Sequence, residues 1–220
     1  LGLGEGQHAE VTADLDATDF ISGPTLYGGS STLNKPDGRN GAGIVWRGWG
    51  GLGAGKGEQH QLYGLRIGPD AAPSVKYRSL NLDGDWADWV ELFHTGNLLG
   101  TVGQSGGQPT GAVIERGSNA NGEYIRFADG TQICTQLETF SFTTAAVGQV
   151  HRDITTAGSW TFPANFLVEP ACYVNAQSVA AWAQAGNANT ASLSDRYVWS
   201  ATALSNVSIQ LSNIAVGRWF

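Results

Sequence analysis

The 220 residues carry a net charge of −7, with 14% charged and 41% hydrophobic side chains, 31 glycines and 8 tryptophans. An acidic balance argues against nucleic acid as a partner and against an anionic membrane surface, both of which reward basic patches, and no run of about 18 apolar residues is present to insert in a bilayer. The apolar share suffices for real cores, and abundant Gly, few charges and short runs of Val, Ile, Thr, Tyr, Phe and Trp predict an all-β chain.

Nothing at the N-terminus has the basic, apolar, small-residue order of a signal peptide. With no methionine, not even at position 1, the sequence reads as a piece of a longer protein. Residues 1–97 are expected to form a small β-rich unit, with 7 basic and 12 acidic side chains. Turn signals at Gly28-Gly29, Pro36-Asp37-Gly38, Pro69-Asp70 and Asp83-Gly84 separate the strand candidates "GIVWRGW", "HQLYGLRIG", "SVKYRSLNL" and "DWADWVELF". Trp46 and Trp49 are three positions apart, as are Trp86 and Trp89. On extended strands each pair must split between opposite faces, leaving one outward ring suited to seal a subunit interface or to bind a glycan. The "DGDWADW" run has a D-x-D-x-x-D look but lacks the central Gly and the spaced Glu of an EF-hand, so Asp83-Gly84 is read as a hairpin turn. His8, His60, His94 and His151 have no ligand spacing. No metal and no cofactor are expected.

Residues 98–121, rich in Gly, Ser, Gln and Asn, read as a connector, and a fragment beginning near Gly111 is expected to fold alone. Next comes "GEYIRFADGTQICTQ", residues 122–136. Asp129-Gly130 suits a two-residue type I′ turn, which sets Phe127 opposite Gln132 and Ile125 opposite Cys134, with Tyr124, Arg126 and Ile133 on the other side. Both faces are then partly apolar, so the hairpin must pack against something larger.

Beyond it "TFSFTT", "SWTFP", "ACYVNAQSV", "AWAQA", "DRYVWSATAL" and "NVSIQLSNIAVGRWF" follow at the spacing of a β-sandwich. Cys134 and Cys172 are too few for a disulfide framework and are read as buried free thiols. Residues 136–220 hold 3 basic and 4 acidic side chains, a balance that suits a neutral, hydroxyl-rich ligand. Trp182 lies beside the polar loop containing Asn187 and Asn189, and Trp199 lies close to Asp195, Arg196 and Tyr197. Flat rings flanked by polar groups are what sugar-binding surfaces use. These seven residues are therefore the candidate glycan contacts, with core or intersubunit packing the alternative for Trp182 and Trp199. Hydrolysis needs two carboxylates about 5–9 Å apart in a groove. With only Glu138, Asp153, Glu169 and Asp195 available here and no G-x-S-x-G motif, an enzyme is not expected.

The run "GSNANGEYIRFADGTQICT", followed by "WTFPANF" at 160–166 and "IAVGRWF" at 214–220, resembles the C-terminal domain of bacteriophage tail fibres. Upstream, "SLNLDGDWADWVELFHTGN" at 79–97 resembles the repeat of phage and pyocin fibre shafts, which carries W-x-x-W and closes near H-T-G-N. The chain departs from the pattern where Cys134-Thr135-Gln136 replaces a frequent Trp. The resemblance implies a homotrimeric fibre tip at the distal end of a virion's tail fibre, assembled in the host cytoplasm. It implies a shaft or knob unit (1–97), a connector (98–121) and a lectin-like β-sandwich (122–220) that recognises a bacterial surface polysaccharide. Upstream fibre or baseplate proteins would be its other partners, without nucleic acid or membrane insertion. The alternatives are a structural shaft or adaptor segment, and a polysaccharide depolymerase with an intersubunit site.

Overall fold

The computed structural model describes residues 10–11, 26–28, 34–47, 59–65, 74–81, 84–154 and 158–220. The chain divides into two compact units, Leu1–Asn97 and Leu98–Phe220. Among the described residues the regular structure is all β apart from a single 3-10 turn at Pro36–Gly38.

In the first unit β1 (Glu10–Val11), β2 (Leu26–Gly28), β3 (Gly41–Arg47), β4 (Gln59–Leu65), β5 (Val75–Leu80) and β6 (Val90–Glu91) lie side by side in chain order. The β1–β2 pair is parallel and the others are antiparallel. β4 has the period of two proper to a half-buried strand: Gln59, Gln61, Tyr63 and Leu65 are buried and the residues between them are half-buried. The "DWADWVELF" run, expected as one strand, supplies only β6 and a single bridge from Trp86 to Leu80. The chain turns at Gly84, whose φ is 92°, and the Asn81 side chain accepts the Asp85 N–H at 2.8 Å. Without a continuous ladder the alternation rule has no hold on this stretch. Trp86 and Trp89 do not split between faces. Both close on the Arg78 guanidinium, at 4.5 and 4.2 Å from their ring centres. Arg78 is buried and its Nε donates to Gln61 Oε1 at 2.9 Å. A desolvated cation held against an indole is stabilised by about 2 kcal/mol, so the W-x-x-W spacing builds a clamp around one cation. Trp46 pairs with His60 in register, but its side chain, like all of Trp49 and His8, lies outside the described residues.

In the second unit the elements are β7 (Gln104–Ser105), β8 (Gln108–Pro109), β9 (Ile114–Asn119), β10 (Gly122–Phe127), β11 (Thr131–Phe142), β12 (Thr144–Val147) and β13 (Val150–Asp153). They continue with β14 (Trp160–Thr161), β15 (Ala171–Gln177), β16 (Ala181–Gln184), β17 (Ser192–Leu193), β18 (Tyr197–Ser200) and β19 (Val207–Arg218). A five-stranded sheet of order β15-β19-β11-β10-β9 packs on a four-stranded sheet of order β12-β13-β18-β16. Between them Phe142, Ala176, Ile209 and Leu211 from the first meet Ala181 and Val198 from the second, which makes a β-sandwich. Residues 98–121, expected as a connector, contain the β7–β8 hairpin and the edge strand β9. Val102 and Ala112 are buried there, and Leu98 O accepts from Val113 and Ile114.

The hairpin at 122–136 forms, but with a three-residue loop. Its register is Tyr124↔Cys134, Ile125↔Ile133 and Arg126↔Gln132. Only Gly130 takes a positive φ, 94°, whereas a type I′ turn needs positive values at both central residues. A left-handed Gly closing a three-residue loop is the next most favoured solution. It is fixed here by the Asp129 carboxylate, which accepts the Thr131 N–H at 2.8 Å and is held below its usual pKa mainly by that bond. One added loop residue reverses which partners share a face. Tyr124, Arg126, Gln132 and Cys134 face inward, and Ile125 and Ile133 face outward.

The three segments that carry the tail-fibre resemblance meet in space. Trp219 Nε1 donates to Phe127 O at 2.8 Å and its N–H to Gly130 O at 3.0 Å. Trp160 Nε1 donates to Asn121 O at 2.8 Å, and Gln132 Nε2 to Ala164 O at 2.8 Å. Trp160, Phe162 and Phe166 pack edge to face at 5.0 and 5.1 Å, a preferred aromatic geometry. Gly217 lets this cluster close: a Cβ there would lie 2.9 Å from Phe166 Cδ1 and 3.0 Å from Pro170 Cβ.

Gly217→Ala is therefore expected to lower the unfolding free energy by about 1–3 kcal/mol, read from denaturant titration. A Leu98–Phe220 fragment should melt cooperatively and at a higher temperature than a Gly111–Phe220 fragment, because the cut at 111 strips away Val102 and the Leu98 carbonyl contacts. Equal melting temperatures would show that residues 98–110 add nothing to the sandwich.

Candidate functional site

Alternation decides which candidate residues share a surface. On the four-stranded sheet Ala181, Val198, Ser200 and Asp153 point inward and are buried, so Trp182, Tyr197, Trp199 and Arg152 point outward. Trp182 pairs directly with Trp199 across β16 and β18, and Trp199 pairs with Arg152 across β18 and β13. The result is a row of two indoles and a guanidinium crossing three strands, with Tyr197 two residues from Trp199 on the same face. Trp182 is 47% exposed. Arg152 is exposed, and its Cζ lies 5.4 Å from the Tyr197 ring centre and 5.8 Å from that of Trp199.

The structure thus brings together Trp182, Tyr197 and Trp199 and adds Arg152, which the sequence reading did not single out. The sequence signal was available, since Arg152 is one of only 3 basic residues in 136–220. Its neighbours, however, are set by strand pairing and not by chain proximity.

The other candidates are occupied or placed elsewhere. Arg196 precedes Tyr197 and so points to the opposite side. It is 3% exposed, ion-paired through Nη1 with Glu138, and donates from Nε to Gly158 O at 3.2 Å. Asn213 Nδ2 reaches the same Glu138 oxygen at 3.1 Å and Gln136 Oε1 at 3.2 Å, forming a polar layer inside the sandwich. Asn189 shapes its own loop, its Oδ1 accepting the N–H groups of Ala191 and Ser192 at 2.7 and 2.9 Å. The Asn187 carbonyl accepts Ser194 N–H at 2.7 Å and Oγ–H at 3.0 Å. Asp195 is exposed, with φ of 56°, in the turn that leads into β18.

A groove of about 700 Å³ lies on the other sheet where β10 begins beside β11, lined in part by Asn119, Glu123, Gln136, Gln177 and Ser212. Several of its polar groups bond to one another, as Gln177 Nε2 does to Ser212 Oγ at 2.8 Å. No group of three or more potential metal ligands occurs among the described residues. Both cysteines are free thiols, Cys134 buried and Cys172 half-buried. Burial raises both pKa values, that of Cys172 to about 11 with help from the Glu169 charge.

Two outcomes are expected. Arg196→Ala should destabilise the second unit by about 1–3 kcal/mol, because it removes the ion-pair partner of Glu138, which keeps partial exposure and its bond from Asn213; thermal and urea unfolding measure this. Since thiolate is the reactive species and both folded pKa values are raised, the native thiols should resist alkylation at pH 8. They should react promptly once the chain is unfolded in guanidinium, as mass spectrometry can follow.

No protein-family model and no curated protein matches the chain. Among solved structures, a fragment of the P. aeruginosa R1 pyocin fibre comprising its C-terminal residues 323-701 aligns with 95% of this chain and 67% of its own length. The identity is 14% and the TM-score 0.31.

Proposed function

We propose that this chain is the receptor-binding region of a phage-type tail fibre, a homotrimeric binding module that attaches to a bacterial surface glycan without cleaving it. The observation that carries the reading is the row of Trp182, Trp199 and Arg152 with Tyr197 beside it on the outward side of the four-stranded sheet, where Trp182 is exposed and Tyr197 and Trp199 are half-buried. Flat exposed rings bind the apolar faces of sugar rings. The residues of the row are aromatic or cationic, and binding is the chemistry they support. The tail-fibre part of the reading rests on the three motif segments, which the fold brings together along the hairpin.

Self-association is assigned to the outer face of the five-stranded sheet. Ile125, Ile133 and Val216 form one row and Thr135, Ile214 and Tyr173 the next, with Leu137 59% and Tyr173 64% exposed. The β11 and β19 positions of these rows carry no charge, Arg116 and Glu123 continuing them on β9 and β10, so identical copies can meet over β11 and β19 without like-charge repulsion. Single sugar sites are weak, and three on one particle act together through effective concentration.

Trp182→Ala and Tyr197→Ala should each weaken host-cell binding by about 1–2 kcal/mol per site while the melting temperature holds. Unchanged cell binding by both variants would sink the assignment of this face. Light scattering should give three times the chain mass for the parent protein and a smaller species for Leu137→Lys combined with Ile214→Lys. A parent mass of one chain at micromolar concentration would rule out the trimer.

A further inference from the structure

Arg152 is the feature of this face that sugar stacking alone does not use. Its guanidinium lies over two aromatic rings, and among the described residues no carboxylate pairs with it. Of the acids nearest in sequence or fold, Asp153 points into the interior, Glu138 is held by Arg196 and Asn213, and Asp195, exposed in the turn before Tyr197, makes no ion pair with Arg152. Of the unit's other arginines, Arg126 pairs with Glu115. An exposed cation positioned against aromatic rings keeps its N–H edge for an incoming acid. The planar fork of Arg matches carboxylate or phosphate through two parallel hydrogen bonds.

We propose, on the basis of the glycan-binding reading above, that this face selects an anionic glycan. Trp182 takes the face of one sugar ring, and Arg152 pairs with an acid group on a neighbouring sugar, a uronate carboxylate or a phosphate substituent. The two side chains stand two strands apart, roughly 10 Å, a distance a short oligosaccharide spans while lying across Trp199. The near-neutral balance of residues 136–220 had suggested an uncharged ligand. That average hides one exposed cation on the outer face that forms no ion pair among the described residues.

The test uses the whole chain and four probes: galacturonate and glucuronate oligosaccharides, the same oligosaccharides with their carboxyls reduced to alcohols, a phosphorylated oligosaccharide, and a neutral glucan. Calorimetry should show binding of at least one acidic probe. Carboxyl reduction or dephosphorylation of that probe should cost about tenfold or more in affinity. Arg152→Gln should remove this preference without shifting the melting temperature, Arg152→Lys should keep a weakened form of it, and Trp182→Ala should weaken acidic and neutral probes alike. Preference for uronate over phosphate, or the reverse, identifies the acid. If the neutral forms bind as well as the acidic ones, or if Arg152→Gln leaves the preference intact, the anion assignment is overturned while the glycan-binding reading stands. If none of the probes binds and host-cell attachment survives Trp182→Ala, the binding face itself is overturned.

Discussion

The second unit depends on the antiparallel pairing of β11 with β19. All twelve residues from Thr131 to Phe142 find partners between Arg218 and Val207. β15 and β10 attach only through this pair, one on each side. Because side chains alternate strictly along both strands, one register decides everything placed on either face. Cys134, Leu211 and Ala215 reach full burial, while Leu137 and Ile214 stand outside. A slip of one residue would exchange the two sets.

The interior so defined is not uniformly apolar. Gln132 is buried at the hairpin end of the pair and Asn213 near its centre, and Arg196 reaches Glu138 from the opposite sheet. A buried ion pair is weak evidence for stability, because taking two charges out of water offsets most of their attraction. Here its bonds to Asn213 and Gly158 give it a geometric role, since each polar group finds its partner in one relative position of the two sheets only. On the opposite side of β18 the residue next to Arg196 is Tyr197. The residues that fasten the sheets and those that form the outer face therefore alternate along one strand, and a change to one set bears on the other through a single peptide bond.

How much of this was legible depended on the range of the interaction. The strand runs could be read because alternation is local, and Trp182, Tyr197 and Trp199 stood out as large rings in otherwise small and polar stretches. The hairpin is legible but its loop length is not, because Asp-Gly suits both a two-residue turn and a three-residue loop ending in left-handed Gly. Arg196 looked like a contact because it adjoins Tyr197, yet period two sends neighbours to opposite sides. Arg152 is not legible as a member of the face, since its place beside Trp199 is set by pairing between β13 and β18. The W-x-x-W clamp is hidden in the same way: Trp86 and Trp89 are near in sequence, but the Arg78 that unites them lies on a different strand.

The distance along the chain between β11 and β19 also governs when the fold can exist. Ser141 and Ser208 touch although they are 67 positions apart, and Trp219 seals the hairpin across 92. Contacts of this range form slowly, because the chain must be ordered over a long loop before they contribute. During synthesis at about 5–20 residues per second, β11 emerges on the order of ten seconds before β19. Over that interval the β10–β11 hairpin offers the unsatisfied edge meant for β19 and an apolar face to any sister chain nearby. Soluble yield then depends on a race between intramolecular closure and encounter with another nascent strand. It falls as nascent chains become more concentrated, however stable the finished sandwich is.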